Sequence, residues 1–176
     1  MNGLGATGFH IEPLSSEHDR EGFRCGESAL DLYLQRQARQ DTTRNLARVY
    51  VLTNDGKTVN GFYSLSAAAI DPAGLPIQIS RKLPNFSIPA TLLGRMAIDT
   101  RLQGRSLGNL ILISALQKAL DGSRSIGSWA VIVDAKQSAH AFYLKNDFQP
   151  FTNHPTRLFM TMAHFARSIS GLSIAD

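Results

Sequence analysis

The alternation of apolar and polar side chains begins at residues 9 to 14, Phe-His-Ile-Glu-Pro-Leu, and halts near Pro13, which predicts a short edge strand. Ser28 is then expected as a helix N-cap, and Leu30, Leu32, Tyr33, Leu34 and Ala38 draw an apolar stripe along residues 29 to 40. Arg36 and Arg39 occupy the opposite face of that helix. Residues 47 to 53 and 58 to 69 are rich in Val, Tyr, Phe, Leu and Ala on either side of Asn54-Asp55-Gly56, so they predict the two arms of a hairpin. From Asp71 to Pro89 the prolines at 72, 76, 84 and 89 break every period, and the stretch is expected to connect, with at most a short strand or turn.

Regular order then returns. Thr91 to Ile98 predicts a buried strand. Ser106 to Leu120 predicts a helix with Leu107, Leu110, Ile111, Ser114, Ala115 and Leu116 on its packed side and Asp121-Gly122 as its stop. Trp129 to Ala135 follows as a second apolar strand, Gln137 to Leu144 as a short helix, Phe148 to Phe151 as a strand, and Arg157 to Met162 as a last strand after a turn at Asn153-His154-Pro155. The unit from 91 to 135 has the length of a right-handed parallel crossover, while the flanking hairpins demand antiparallel pairing. The expectation is an α/β fold, a mixed sheet with helices on both faces. A chain of 176 residues with 43% hydrophobic content fills one core, so a single domain over 1 to 176 is expected.

Charge changes this picture little. The 18 Lys and Arg against 14 Asp and Glu give a net charge of +4, which suits a phosphate-bearing ligand without selecting one. Cys25 is the only cysteine, which excludes an intramolecular disulfide and a multi-cysteine metal site, so no metal is expected. The opening residues 1 to 8 lack a basic stretch followed by an apolar run, and no later segment is long enough to span a bilayer; the expectation is a cytoplasmic protein away from membranes.

The segment Asp99-Thr-Arg-Leu-Gln-Gly-Arg-Ser-Leu-Gly-Asn109 lies between a predicted buried strand and the start of a predicted helix, where backbone N–H groups lack intrahelical partners and bind anions. Gly104 and Gly108 clear the way for a pyrophosphate, and Arg101 and Arg105 add charge around it. The segment matches neither the P-loop nor the Gly-x-Gly-x-x-Gly dinucleotide fingerprint, which makes ATP and NAD poor candidates.

Gln103-Gly-Arg-Ser-Leu-Gly108 after Leu93-Gly-Arg-Met-Ala-Ile98, then a helix, Ala130-Val-Ile-Val-Asp134 and Ala139-His-Ala-Phe-Tyr143, resembles the GNAT superfamily of N-acetyltransferases over nearly the whole chain. The resemblance implies the GNAT fold, a mostly antiparallel mixed sheet splayed at a central parallel strand pair. It also implies that acetyl-CoA is the cofactor, its pyrophosphate held by the main chain of Gln103, Gly104, Arg105, Ser106, Leu107, Gly108 and Asn109. Met96, Ala97 and Ile98 would offer main-chain groups to the pantetheine arm, with the acyl carbonyl near the Ile98 N–H, and Phe142 would complete the cofactor contacts. Tyr143 would be the catalytic acid that protonates the departing thiolate. Two positions depart from the family pattern. Ser106 replaces a glycine, which is tolerable at an ordinary negative φ, and Asp147 stands where glycine commonly precedes Phe148.

Phe23-Arg-Cys-Gly26, Leu30-Asp-Leu-Tyr-Leu34, Gln37-Ala38, Arg48-Val-Tyr-Val51 and Gly61-Phe-Tyr-Ser-Leu65, with Val133-Asp-Ala-Lys136 and Arg157-Leu-Phe-Met160, further resemble the GNAT toxins of toxin–antitoxin modules. This resemblance implies acetylation of the α-amine of aminoacyl-tRNA, a block on translation, and neutralisation by a ribbon-helix-helix antitoxin. Acceptor basicity agrees. A free α-amine has a pKa of about 7.7 to 8.0 and needs no strong base, whereas a lysine amine near about 10.4 would need one. Arg36, Arg39, Arg81, Lys82, Arg95 and Lys145 are the candidate RNA-facing residues, although the same charges also suit an ordinary solvated surface. Strand edges near the C-terminus and the helix at 29 to 40 supply faces for a homodimer. Two other readings stay open: an acetyltransferase acting on a small-molecule amine or a protein N-terminus, and a non-catalytic acyl-CoA sensor or RNA-binding module.

Overall fold

The computed structural model describes residues 8–172. Most of the opening segment in which no leader was read, residues 1–7, lies outside the described residues. Seven strands form one sheet in the order β1-β2-β3-β4-β5-β7-β6, and the chain is α/β. β4 (Ile88–Ile98) and β5 (Ala130–Asp134) run parallel through Ala90–Leu92 against Ala130–Ile132. The other registered pairs are antiparallel: β1 (His10–Pro13) with β2 (Arg48–Thr53), β2 with β3 (Gly61–Ile70), β5 with β7 (Arg157–Thr161), and β7 with the two-residue β6 (Gln149–Pro150). The edge position expected for the first strand and the hairpin around Asn54-Asp55-Gly56 are both observed; Asp55 holds that turn by accepting from the Lys57 and Thr58 N–H groups at 2.8 and 2.7 Å.

The chain divides into two compact units, Met1–Ser66 with Gly94–Ala115, and Ala67–Leu93 with Leu116–Asp176. The first buries Phe23, Tyr33, Leu34, Val49, Val51, Phe62 and Ala97 together. The second buries Ile70, Leu75, Ile88, Ala130, Ile132, Phe151 and Phe159. Strands β3 and β4 and helix α4 (Leu107–Ser123) each begin in one unit and end in the other.

Several local expectations are corrected. The stripe over 29 to 40 is not one α-helix: α1 (Ser28–Leu32) passes into a π-helical turn at Tyr33–Gln37 and then α2 (Ala38–Thr43). Glu27 rather than Ser28 is the N-cap, because Ser28 already has helical geometry. The proline-rich connector contains a 3₁₀ turn at Pro72–Gly74 and a short helix α3 (Ile77–Ser80), each started by the fixed φ of a proline at its entrance. Helix α4 runs on through Asp121-Gly122 to Ser123, since a single glycine in a last turn costs less than the bonds it keeps. Strand β7 stops at Thr161, and Met162 opens a helix, α6 (Met162–Leu172), that the strand reading had cut off. Its signal was present: Met162, Phe165, Ala166 and Ile169 recur at helical spacing, and the Thr161 hydroxyl accepts from the His164 N–H at 3.1 Å as a cap.

Candidate functional site

In the first unit, β4 ends at Ile98 and the chain turns through a 3₁₀ segment (Thr100–Leu102) before α4 begins at Leu107. Asp99, 1% exposed, organises the turn. Its carboxylate accepts from the N–H groups of Arg24 at 3.2 Å and Arg101 at 3.0 Å, and from the Arg101 guanidinium at 2.7 and 2.9 Å. Burial alone would raise the Asp99 carboxyl, but these donors together bring it below its ordinary range. Arg101 is thereby committed to Asp99, and Arg105 is left exposed on the loop.

The Gln103 side chain has a structural task beside the role expected of its main chain. Its side-chain amide donates to the carbonyls of Cys25 at 2.9 Å and Ile98 at 3.0 Å, so it fastens the loop to the strand and to the Phe23-Arg-Cys-Gly26 segment. Thr100 N–H adds a bond to the Arg24 carbonyl at 2.8 Å. The Phe-Arg-Cys-Gly motif is therefore a brace under the loop. Cys25 itself is buried, and its thiol is pushed up to about 11 by burial and then by its bond to Asp31, so it offers no thiolate at neutral pH.

The loop passes through two left-handed residues before α4. Gly104 sits at φ +80 with nothing within 4 Å of where a Cβ would stand. Ser106 sits at φ +60, so the condition under which serine is tolerable there, an ordinary negative φ, is not met: the hydroxylated residue occupies the left-handed region that favours glycine. Gln103, just before them, is extended, at φ −62 and ψ 150. The Leu110 N–H bonds the Ser106 carbonyl at 3.4 Å, so the amides of Leu107 and Gly108 precede the first helical bond. Residues 103 to 106 are exposed, Leu107 is buried and Asn109 is exposed. Exposed residues with free main-chain donors ahead of a helix are of the kind that hold a diphosphate.

The end of β4 is held from the β3 side. A Cβ on Gly61 would stand 2.8 Å from the Ile98 side chain and 3.0 Å from the Ala97 carbonyl. Asp99 N–H donates to the Asn60 carbonyl at 2.9 Å, which continues this brace. Met96 and Ile98 are half-buried and Ala97 is buried. Arg95 lies over the Tyr33 ring, 3.6 Å from its centroid, while burial and then the Asp41 carboxylate push the Tyr33 phenol up to about 12.

In the second unit, Tyr143 lies on α5 (Gln137–Lys145) and is 5% exposed. Its ring meets Phe142 and Phe148 edge to face, at 5.2 and 5.3 Å between centroids. The helix ends in a Schellman motif, with Phe148 N–H bonded to the Tyr143 carbonyl at 3.1 Å and Asp147 N–H to the Leu144 carbonyl at 3.2 Å. Asp147 takes the left-handed position of that motif at φ +64, which is why a glycine suits this place. Burial pushes the Tyr143 phenol well above its ordinary range.

Of the candidate RNA-facing residues, Arg36, Arg39, Arg81, Lys82 and Lys145 are exposed and Arg95 is half-buried. Asp134 and Arg157, from two separate motifs, stand opposite each other across β5 and β7 and pair at 2.7 and 2.9 Å. Among the described residues no cluster suited to a metal ion and no helix long and apolar enough to cross a membrane is found.

No family model matches the chain. It is 34% identical over 159 residues to the tRNA-acetylating toxin of Mycobacterium tuberculosis, covering 90% of this chain and 94% of that one. It is 35% identical over 182 residues to the probable toxin TacT of Sinorhizobium fredii, covering 97% and 100%. Among solved structures, AtaT complexed with acetyl-methionyl-tRNAfMet superposes at a TM-score of 0.84 with 30% identity, covering 93% of this chain and 98% of that one. A tyrosine-to-phenylalanine mutant of AtaT bound to acetyl-CoA and the C-terminus of the antitoxin AtaR superposes at 0.80 with 26% identity, covering 92% and 98%. The KacTA–DNA complex superposes at 0.78 with 25% identity, covering 93% and 99%.

Proposed function

Because the chain belongs to the family of tRNA-acetylating toxins, GNAT acetyltransferases of toxin–antitoxin modules, we propose that it transfers the acetyl group of acetyl-CoA to the α-amine of aminoacyl-tRNA and so blocks translation. Acetyl-CoA supplies the thioester: the amine nitrogen bonds to the acetyl carbon as the carbon–sulfur bond breaks. The cradle formed by Gln103, Gly104, Arg105, Ser106, Leu107, Gly108 and Asn109 holds the pyrophosphate through main-chain donors, with Arg105 adding charge. The main chain of Met96, Ala97 and Ile98 orients the pantetheine arm as an added strand does, and Phe142 gives it an apolar wall. Tyr143 gives its proton to the departing sulfur, and the proton that the amine sheds on becoming an amide restores the phenol. Its raised pKa does not oppose this, since surroundings that penalise a phenolate penalise a thiolate as well, and only their difference matters.

The observation that carries the reading is the left-handed turn at Gly104 and Ser106 at the start of α4, on a chain whose relatives acetylate tRNA. The tyrosine-to-phenylalanine change in the solved AtaT complex supports the role of a phenol. We read the whole chain as one functional domain, because β3, β4 and α4 pass from one compact unit into the other. An enzyme of charged tRNA works in the cytoplasm. Its regulator is a ribbon-helix-helix antitoxin, a reading supported by the DNA-bound KacTA complex. The chain pairs as a homodimer, for which Leu32, 44% exposed on α1, offers apolar surface.

Tyr143→Phe tests the function. The variant is expected to bind acetyl-CoA and melt as the wild type does, and to lose roughly 100-fold or more in transfer rate, the scale of general acid catalysis. A variant that still arrests translation at the wild-type rate would remove the phenol from the mechanism.

A further inference from the structure

Between Asp71 and Asp99 the sequence holds no acidic residue, yet it carries Arg81, Lys82 and Arg95. Part of this stretch forms a tip in the second unit. Helix α3 turns Ile79 inward, and Leu83 follows it, both packed on the core of Ile70, Ile88 and Phe159. The N–H of Lys82 bonds the Ile79 carbonyl at 3.0 Å and that of Leu83 bonds the Ser80 carbonyl at 3.1 Å, so the helical path continues one turn past Ser80. What the anchor leaves outside is specific: Ile77 at 56% exposed, Arg81, Lys82, and Phe86 at 67% exposed. Neither Arg81 nor Lys82 forms an ion pair among the described residues.

Phe86, three residues beyond the Leu83 anchor, thus presents an exposed aromatic ring close in sequence to two cations without an ion-pair partner among the described residues. Arg81 and Lys82 lie between Ile77 and Phe86 in sequence, and at most about 17 Å of chain separates Arg81 from Phe86. Cations with an exposed aromatic ring close by in sequence are what a single-stranded nucleic acid binds: phosphates to the cations, an unpaired base on the ring.

We propose that the tip from Ile77 to Phe86 docks the tRNA substrate, with Phe86 stacking on an unpaired base of its single-stranded 3′ end and Arg81 and Lys82 contacting the adjoining phosphates. This rests on the reading of charged tRNA as substrate and adds to it the element and the ring that grip the RNA. Phe86 is a binding residue and takes no part in the transfer.

Initial rates with bulk aminoacyl-tRNA at fixed acetyl-CoA test it. Phe86→Ala is expected to raise KM for charged tRNA by roughly 5- to 100-fold, the range of one lost stacking contact, with kcat and acetyl-CoA affinity within about twofold of wild type. Phe86→Trp should restore KM. The double variant Arg81→Ala/Lys82→Ala should flatten the dependence of log KM on log salt by about 1.4, about 0.7 for each phosphate contact. A Phe86→Ala enzyme with KM within twofold of wild type overturns the proposal, as does an equal fall in kcat and acetyl-CoA affinity, which would mark Phe86 as structural. Loss of antitoxin neutralisation with KM unchanged would assign the tip to the protein partner and also overturn it. If wild-type enzyme acetylated no charged tRNA, the functional reading would fail instead. Titration of deacylated tRNA onto wild type and Phe86→Ala would then decide the tip by itself, equal affinity overturning it.

Discussion

Tyr143 keeps its proton through the neutral range because its neutral form is favoured by burial, and the group loses that proton only at a pH above the ordinary phenol value of about 10. The acceptor works in the opposite sense, becoming nucleophilic as it loses a proton near about 7.7 to 8.0 or below. The rate of transfer should therefore climb with pH through the α-amine titration and stay level to pH of about 9, with no descending limb. A falling limb below that pH would show that the acid is some other group. The Schellman motif behind Tyr143 makes a second prediction at the same scale. Asp147 pays for a left-handed backbone that glycine adopts freely, and its contact with His164, at 3.7 Å, is too long for a hydrogen bond. Asp147→Gly should stabilise by about 0.5 to 1 kcal/mol, net of the greater freedom glycine has when unfolded, and raise Tm by about 2 °C without changing kcat. Differential scanning calorimetry reads this directly.

At the scale of elements, the tight meeting of Gly61 on β3 with Ala97 and Ile98 on β4 governs the strand end that is proposed to face the pantetheine arm. A Cβ 3.0 Å from a backbone carbonyl forces one strand to shift. Gly61→Ala is expected to cost about 1 to 3 kcal/mol in urea unfolding and to weaken acetyl-CoA binding in calorimetry. Unchanged values for both would mean that β4 has room to yield. The same elements show what periodicity reads and what it misses. The strands and α4 were legible because their apolar runs are long and bounded by Pro, Gly or Asp. The π-helical turn at Tyr33–Gln37 was not, because it keeps an apolar stripe and differs only in its hydrogen bonds. Helix α6 escaped because Met162 continues the apolar run of β7, and only the Thr161 cap marks where the period changes.

For the whole molecule, sedimentation equilibrium tests the homodimer: the expected mass is about twice the 19.2 kDa of the chain, and a monomer at micromolar concentration would refute the pairing. The sequence by itself determined the order of the main strands and helices, the parallel unit within a mostly antiparallel sheet, and the family from which the roles of the loop and the tyrosine are proposed. These follow from local spacing, from turn chemistry and from motifs written in consecutive residues. Only the tertiary structure decided that Asp99 is the buried organiser of the loop, that Gln103 spends its side chain on Cys25 and Ile98, and that Ser106 and Asp147 stand in left-handed backbone. Each of these depends on a partner far along the chain or on a dihedral angle, and neither leaves a trace in the periodicity of side chains.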